Sequence, residues 1–191
     1  MTHRSTDGRA LGPRGQQTRK AILRSLSRRL ADTPYQKLSV QRVAYMAGQT
    51  DVNFYRYFTN IDAAVLALAD EVADEGYNAD FTSPYEWRTL ATATRIVADF
   101  CALYARHRPI LRVVELRAAE GYTEYAATRA HFLYGLQVGL EQAASRHRPD
   151  ASDEALSALV APLVGMLAAL AAHPAQDNAV QGTRRRSSMP L

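Results

Sequence analysis

Residues 39–58 read SVQRVAYMAGQTDVNFYRYF, two short helical patterns separated by a glycine. Ser39 is an N-cap residue whose hydroxyl accepts an amide left open at a helix start, and Val40, Val43, Ala44 and Ala47 behind it form an apolar stripe at helical spacing. Gly48 takes positive φ without steric cost, and Thr50, two residues on, is placed to cap a second helix. The connection is then a turn of about three residues, as a helix-turn-helix requires. At about 100° per residue from Asp51, Phe54 and Phe58 share one side of that second helix, and Val52, Asn53 and Arg56 share the other. Tyr55 and Tyr57 fall on the flanks, where a ring packs on the protein while its hydroxyl reaches a phosphate. This spacing by itself admits two readings: a DNA-reading helix pair, or a plain helical hairpin with surface tyrosines.

The flanks bear on that choice. Residues 1–60 carry 11 Lys/Arg against 3 Asp/Glu, whereas residues 61–172 carry 9 against 15. A basic head on an acidic body suits a polyanion partner, with a solvated basic face as the plain alternative. Thr18 is expected to cap a helix running to about Ala31, with Ala21, Ile22, Leu26 and Leu30 inward, and Pro34 bars its continuation. Residues 1–16 hold Arg4, Arg9 and Arg14 among Gly, Ser, Thr and Pro and read as a disordered basic arm.

In order and with their gaps, Thr18 to Leu23, Ser39 to Gly48 and Tyr55 to Phe58 resemble the DNA-binding domain of the TetR family of one-component transcriptional regulators. The resemblance covers about residues 17–75. It implies that Ser39, Tyr55 and Tyr57 contact the DNA backbone, that Gln41, Arg42, Asp51, Val52, Asn53 and Arg56 face the operator, and that Thr50 belongs to the same surface. Two positions depart from the family pattern: Gln49 stands where an apolar residue is usual, and Ile61 where a lysine is usual.

Beyond Asn60 the chain reads as a linker helix of about Asp62 to Asn78, a helix of about Glu86 to Arg106, a shorter one begun by Pro109, then Tyr122 to His147 and Asp153 to Ala172. The last is about as long and apolar as a membrane span, but Pro162, Gly165 and its many alanines favour a buried or subunit-facing helix. Residues 173–191 read as a disordered tail. The lone Cys101 and the lack of an apolar leader in MTHRSTDGRA point to the cytoplasm. No catalytic motif, metal-ligand spacing or cofactor fingerprint is visible, so no enzyme, metal or cofactor is expected. Trp87, Phe100, Tyr104, Tyr122, Tyr125 and Phe132, with Met166, are candidates to line an apolar pocket, although for each taken singly ordinary core packing is the favoured reading. The resemblance favours the pocket, because relatives typically bind a small effector in this region.

The expected fold is therefore all-α: a three-helix helix-turn-helix domain at 17–60, joined by a linker helix to a larger effector-binding and dimerisation domain within 61–172. The expected function is a homodimeric repressor, released from a palindromic double-stranded operator by a small apolar effector. The alternative is a small-molecule-binding protein or enzyme whose DNA-binding head has decayed, a reading that Gln49 and Ile61 favour.

Overall fold

The computed structural model describes residues 5–79, 81 and 89–173. Its α-helices are α1 (Pro13–Asp32), α2 (Val40–Met46), α3 (Asp51–Tyr55), α4 (Ile61–Tyr77), α5 (Leu90–Ala119), α6 (Thr123–His147) and α7 (Asp153–Ala172), with a single 3-10 turn, Tyr35–Lys37, between α1 and α2. Every regular element among the described residues is helical, as their periodicities predict.

Side chains rather than glycines start most of these helices. Thr50 accepts from Asn53 N at 3.1 Å, Asn60 from Ala63 N at 2.8 Å and Ser152 from Ala155 N at 3.2 Å, each satisfying one of the amides that a helix start leaves open. α1 differs from expectation. It begins at Pro13 behind Gly12, where a missing N–H costs nothing, and Thr18 lies inside it with its hydroxyl donating to Arg14 O at 3.1 Å. Residues 13–16 of the expected arm are therefore helical, and the segment before them is tied to the head: Thr6 N donates to Arg56 O at 3.0 Å and Thr6 Oγ1 to Tyr55 O at 2.9 Å.

The second difference is at Pro109. Instead of starting a new helix it lies within α5, which runs unbroken from Leu90 to Ala119. A proline inside a helix removes one backbone hydrogen bond and crowds the preceding turn. Here Phe100, Leu103 and Tyr104 before it, and Ile110, Leu111, Val113 and Val114 after it, are all buried, so packing holds both halves on one axis. The expected start at Glu86 falls in residues 82–88, outside the described residues; the first helical residue is Leu90, behind the Thr89 cap. The tail expected at 173–191 also lies outside them from 174 onward.

The core is continuous from head to body. Ile22, Leu26, Val43, Phe54 and Phe58 pack the head, Ala64, Val65 and Val72 of α4 extend that core, and Phe100, Tyr104, Phe132 and Leu136 fill the body. α4 and α6 cross at glycines. A Cβ at Gly76 would stand 2.6 Å from Phe132 O, and one at Gly135 would stand 2.8 Å from Gly76 O, so only glycine lets these backbones approach so closely. His131 and Thr128 of α6 add polar ties to α4, through Asp74 at 2.9 Å and Asp70 at 2.7 Å.

Candidate nucleic-acid interface and ligand cavity

The helix pair is built from its turn outward. Ser39 accepts from Arg42 N at 3.4 Å, Gly48 sits at φ 69°, and α3 follows after the Thr50 cap. Ser25 of α1 donates to Val43 O at 2.8 Å and fixes α2 against the head core. Phe54 is wholly buried, whereas Val52 is 77% exposed, so α3 has a clear inner and outer face. Gln41, Arg42, Thr50, Asp51, Tyr55 and Arg56 are exposed with it, Ser39 lies exposed at the start of α2, and Asn53 and Tyr57 are half-buried. Of the sequence-predicted operator residues, Val52, Asn53, Tyr55, Arg56 and Tyr57 line one groove, and Thr50 and Asn53 border a second hollow with Tyr45 and Gly48.

Both departures from the family pattern have structural partners. Gln49 Oε1 accepts from Asn53 Nδ2 and ties the turn to α3, and Ile61 packs on the hydrophobic core. The arm borders the same surface: Thr6, Arg9 and Arg14 together with Val52, Asn53 and Arg56 line a groove of about 900 Å³. Arg14 adds a cation beside Arg56, while Arg9 in the same groove pairs with Asp7 at 3.6 Å; a net positive groove of this kind suits a phosphate backbone.

The head is fastened to the body at two places. Arg19 of α1, buried over the Phe58 ring, pairs with Glu71 of α4 at 2.6 Å. Near the other end of α4, Tyr35 donates its hydroxyl to Asp62, and the Arg117 guanidinium of α5 lies 5.5 Å from the Tyr35 ring and 3.7 Å from that of Tyr122. Burial and the Asp62 carboxylate both push the Tyr35 hydroxyl well above the usual tyrosine range, so it remains a donor at any ordinary pH.

The seven pocket candidates separate. Phe100 and Phe132 lie in a cluster with Phe81 and Tyr104, ring centroids 6.1 to 6.3 Å apart, and fill the core rather than line a space. Tyr122 and Tyr125 flank Arg117, Met166 is exposed on the outer side of α7, and Trp87 lies outside the described residues. Among the described candidates, Tyr104 borders a cavity, a space of about 270 Å³ between α5, α6 and α7 whose wall also includes Arg112, Glu115, Arg129, Gly165, Ala168, Ala169, Ala172 and His173. Sequence reading missed Arg112 and Glu115 because it ended one helix at about Arg106 and began another at Pro109; on an unbroken α5, Tyr104, Arg108, Arg112 and Glu115 recur every three or four residues along one face.

Comparison with known proteins bears on the region beyond the helix pair. Residues 80–186, more than half of the chain, match the family model described as "Tetracyclin repressor-like, C-terminal domain". The chain belongs to the TetR family. No curated protein matches it in sequence. Among solved structures it is similar to a TetR family transcription regulator from Marinobacter aquaeolei VT8, with 17% identity and a TM-score of 0.55 over 86% of this chain and 90% of that one. It is also similar to the fatty acid degradation regulator FadR from Bacillus halodurans, with 19% identity and a TM-score of 0.56 over 85% and 84%. At these identities the likeness is one of fold, and the TetR fold is the one that the sequence of this chain predicts.

Proposed function

We propose that this TetR-family protein is a homodimeric repressor that binds a palindromic operator through α2 and α3 and is released by a small effector bound among the helices after α4. The observation that carries the reading is the two-faced α3, with Phe54 buried and Val52 fully presented behind a side-chain cap. Residues 17–60 then form the DNA-binding domain, α4 the link, and the remaining helices up to 172 the effector and dimerisation domain.

The dimer reading is supported by α7. Leu156, Val160, Val164 and Ala168 are buried against the body, while Leu159, Leu163, Met166 and Leu170 form a second stripe at helical spacing, 44% to 63% exposed. A contiguous apolar stripe of this kind on a family of symmetric regulators is suited to a twofold partner. α7 is also long and apolar enough to cross a membrane, and one face of it, Leu156, Val160, Val164 and Ala168, is packed on α5 and α6.

The mechanism follows from geometry. Half-sites one helical turn apart, about 34 Å, demand a fixed spacing of the two recognition helices, so a modest pivot of α4 on binding effector misplaces one of them. The ties of Arg19 to Glu71 and of Tyr35 to Asp62 and Arg117 would carry such a pivot into the head.

The test is a set of folded variants in a DNA-binding titration at several salt concentrations. Tyr55→Ala should weaken binding to every sequence, and Val52→Ala or Asn53→Ala should change preference among sites, each by about 1–3 kcal/mol. Wild-type affinity in all three would refute α3 as the reading helix.

A further inference from the structure

The cavity between α5, α6 and α7 holds polar groups that the fold itself leaves unused. Tyr104 is 1% exposed, and its hydroxyl has no hydrogen-bond partner among the described residues. Such a group costs stability unless something else satisfies it. The charges that act on this hydroxyl are those of Glu115, Arg129, Arg108 and Arg112. Burial, reinforced by Glu115, pushes its pKa up to about 12, so at neutral pH it is a hydrogen-bond donor in search of an acceptor.

The cations around it are incompletely neutralised. Arg129 Nε donates to both carboxylate oxygens of Glu115 at 2.8 Å, which uses one face of the guanidinium and leaves its two terminal nitrogens without a protein acceptor among the described residues. Arg112, solvent-exposed at the cavity rim and about two turns beyond Tyr104 on α5, has neither a hydrogen bond nor an ion pair among them. Against one carboxylate, Glu115, the wall therefore carries two guanidinium groups, a formal excess of one positive charge. Arg108, on the same face of α5 but not part of the cavity lining, has a buried Nε without a partner among the described residues. The opposite wall, Gly165, Ala168, Ala169 and Ala172, is small and apolar.

We propose that this cavity is the effector site and that its ligand is a small organic monocarboxylic acid. Its carboxylate accepts from the Tyr104 hydroxyl and from the guanidinium groups of Arg112 and Arg129, and its short apolar body lies along the Gly165 to Ala172 wall of α7. One negative charge matches the excess on the wall, whereas a doubly charged phosphate would leave a charge uncompensated beside Glu115. A volume of about 270 Å³ lies just below the usual span of small-molecule sites, about 300–1,000 Å³, and suits a single ring or a short chain. The inference rests on reading the helical body as the effector domain.

The experiment uses benzoate and hexanoate as probes, with benzamide, hexanol and inorganic phosphate as neutral and dianionic counterparts, measured by calorimetric titration and thermal shift on the full chain. Either acid, or both, should bind and raise the melting temperature, with little or no response to the other three. Tyr104→Phe removes only the hydroxyl, should leave the unliganded protein as stable as wild type or more so, and should weaken acid binding about tenfold or more; Arg112→Met should do likewise. Equal binding of acid and neutral counterpart, no binding of either acid, or full acid affinity in both variants would each overturn the proposal. Operator affinity is followed in parallel to separate the two readings. Acid that binds without altering DNA affinity would overturn the effector role, and DNA released by the neutral compounds alone would overturn the carboxylate site while leaving effector control standing.

Discussion

Thr50 shows how much a single side chain contributes here. α3 is five residues long, too short to be stable by its own backbone hydrogen bonds, so it depends on its cap and on Phe54 buried behind it. Thr50→Ala leaves the Asn53 amide open and should cost about 1 kcal/mol of stability in denaturant unfolding, whereas Thr50→Ser, which keeps the oxygen, should stay near wild type. Equal stability of the two variants would mean that the cap contributes nothing. The caps at Ser39 and Thr50 and the positive φ of Gly48 were legible in the sequence because each is decided within four residues of itself. Tyr104 was legible only as an aromatic on a helix. Whether its hydroxyl meets a partner depends on Arg112, Glu115 and Arg129, residues up to 25 positions away and on two helices, which no local pattern records.

At the scale of elements, the sequence misread α5 because Pro109 is a local signal and the helix is a tertiary result. Buried residues on both sides of the proline outweigh its cost, which is about 3 kcal/mol relative to alanine in a helix interior. Pro109→Ala should therefore raise the unfolding free energy, by about 1–3 kcal/mol, and thermal or denaturant unfolding will read it directly; a loss of stability would mean that the proline ring makes a contact worth more than the missing hydrogen bond. The start of α1 was misplaced for a related reason. Gly12 and Pro13 begin a helix by geometry rather than by a capping side chain, and Thr18, which has the side chain, uses it inside the helix. Where α4 crosses α6 the tolerance is small. Gly76→Ala puts a methyl group into the Phe132 backbone and should cost about 1–3 kcal/mol, and because α4 joins head to body it should also alter the effector response of whatever fraction folds. A Gly76→Ala protein as stable as wild type would show that the crossing can open without penalty.

For the whole molecule, the all-helical architecture and the basic head on an acidic body could be read from periodicity and charge, while the division of the aromatic residues between core and cavity could not. Phe100 and Phe132 satisfy the same helical pattern whether they fill a core or line a space, and they fill it. The unpaired stripe of α7 makes an assembly prediction. A seam of four helices, two from each chain, should bury on the order of 1,200–2,000 Å² and hold a stable dimer at micromolar concentration. Leu163→Glu places a charge in that seam and should yield a monomer or aggregate by sedimentation, with operator affinity reduced far more than by loss of any one base contact, since the two heads no longer bind as one ligand. An unaltered dimer in Leu163→Glu would place the interface elsewhere.

Selection of genomic DNA fragments by the wild-type protein at physiological salt, followed by sequencing, tests DNA reading and twofold symmetry together. A dimer that reads DNA through α3 should enrich an inverted repeat with half-site centres about one helical turn, or ~34–36 Å, apart. Recovery of fragments with no shared sequence, or of a single unrepeated site, would contradict it.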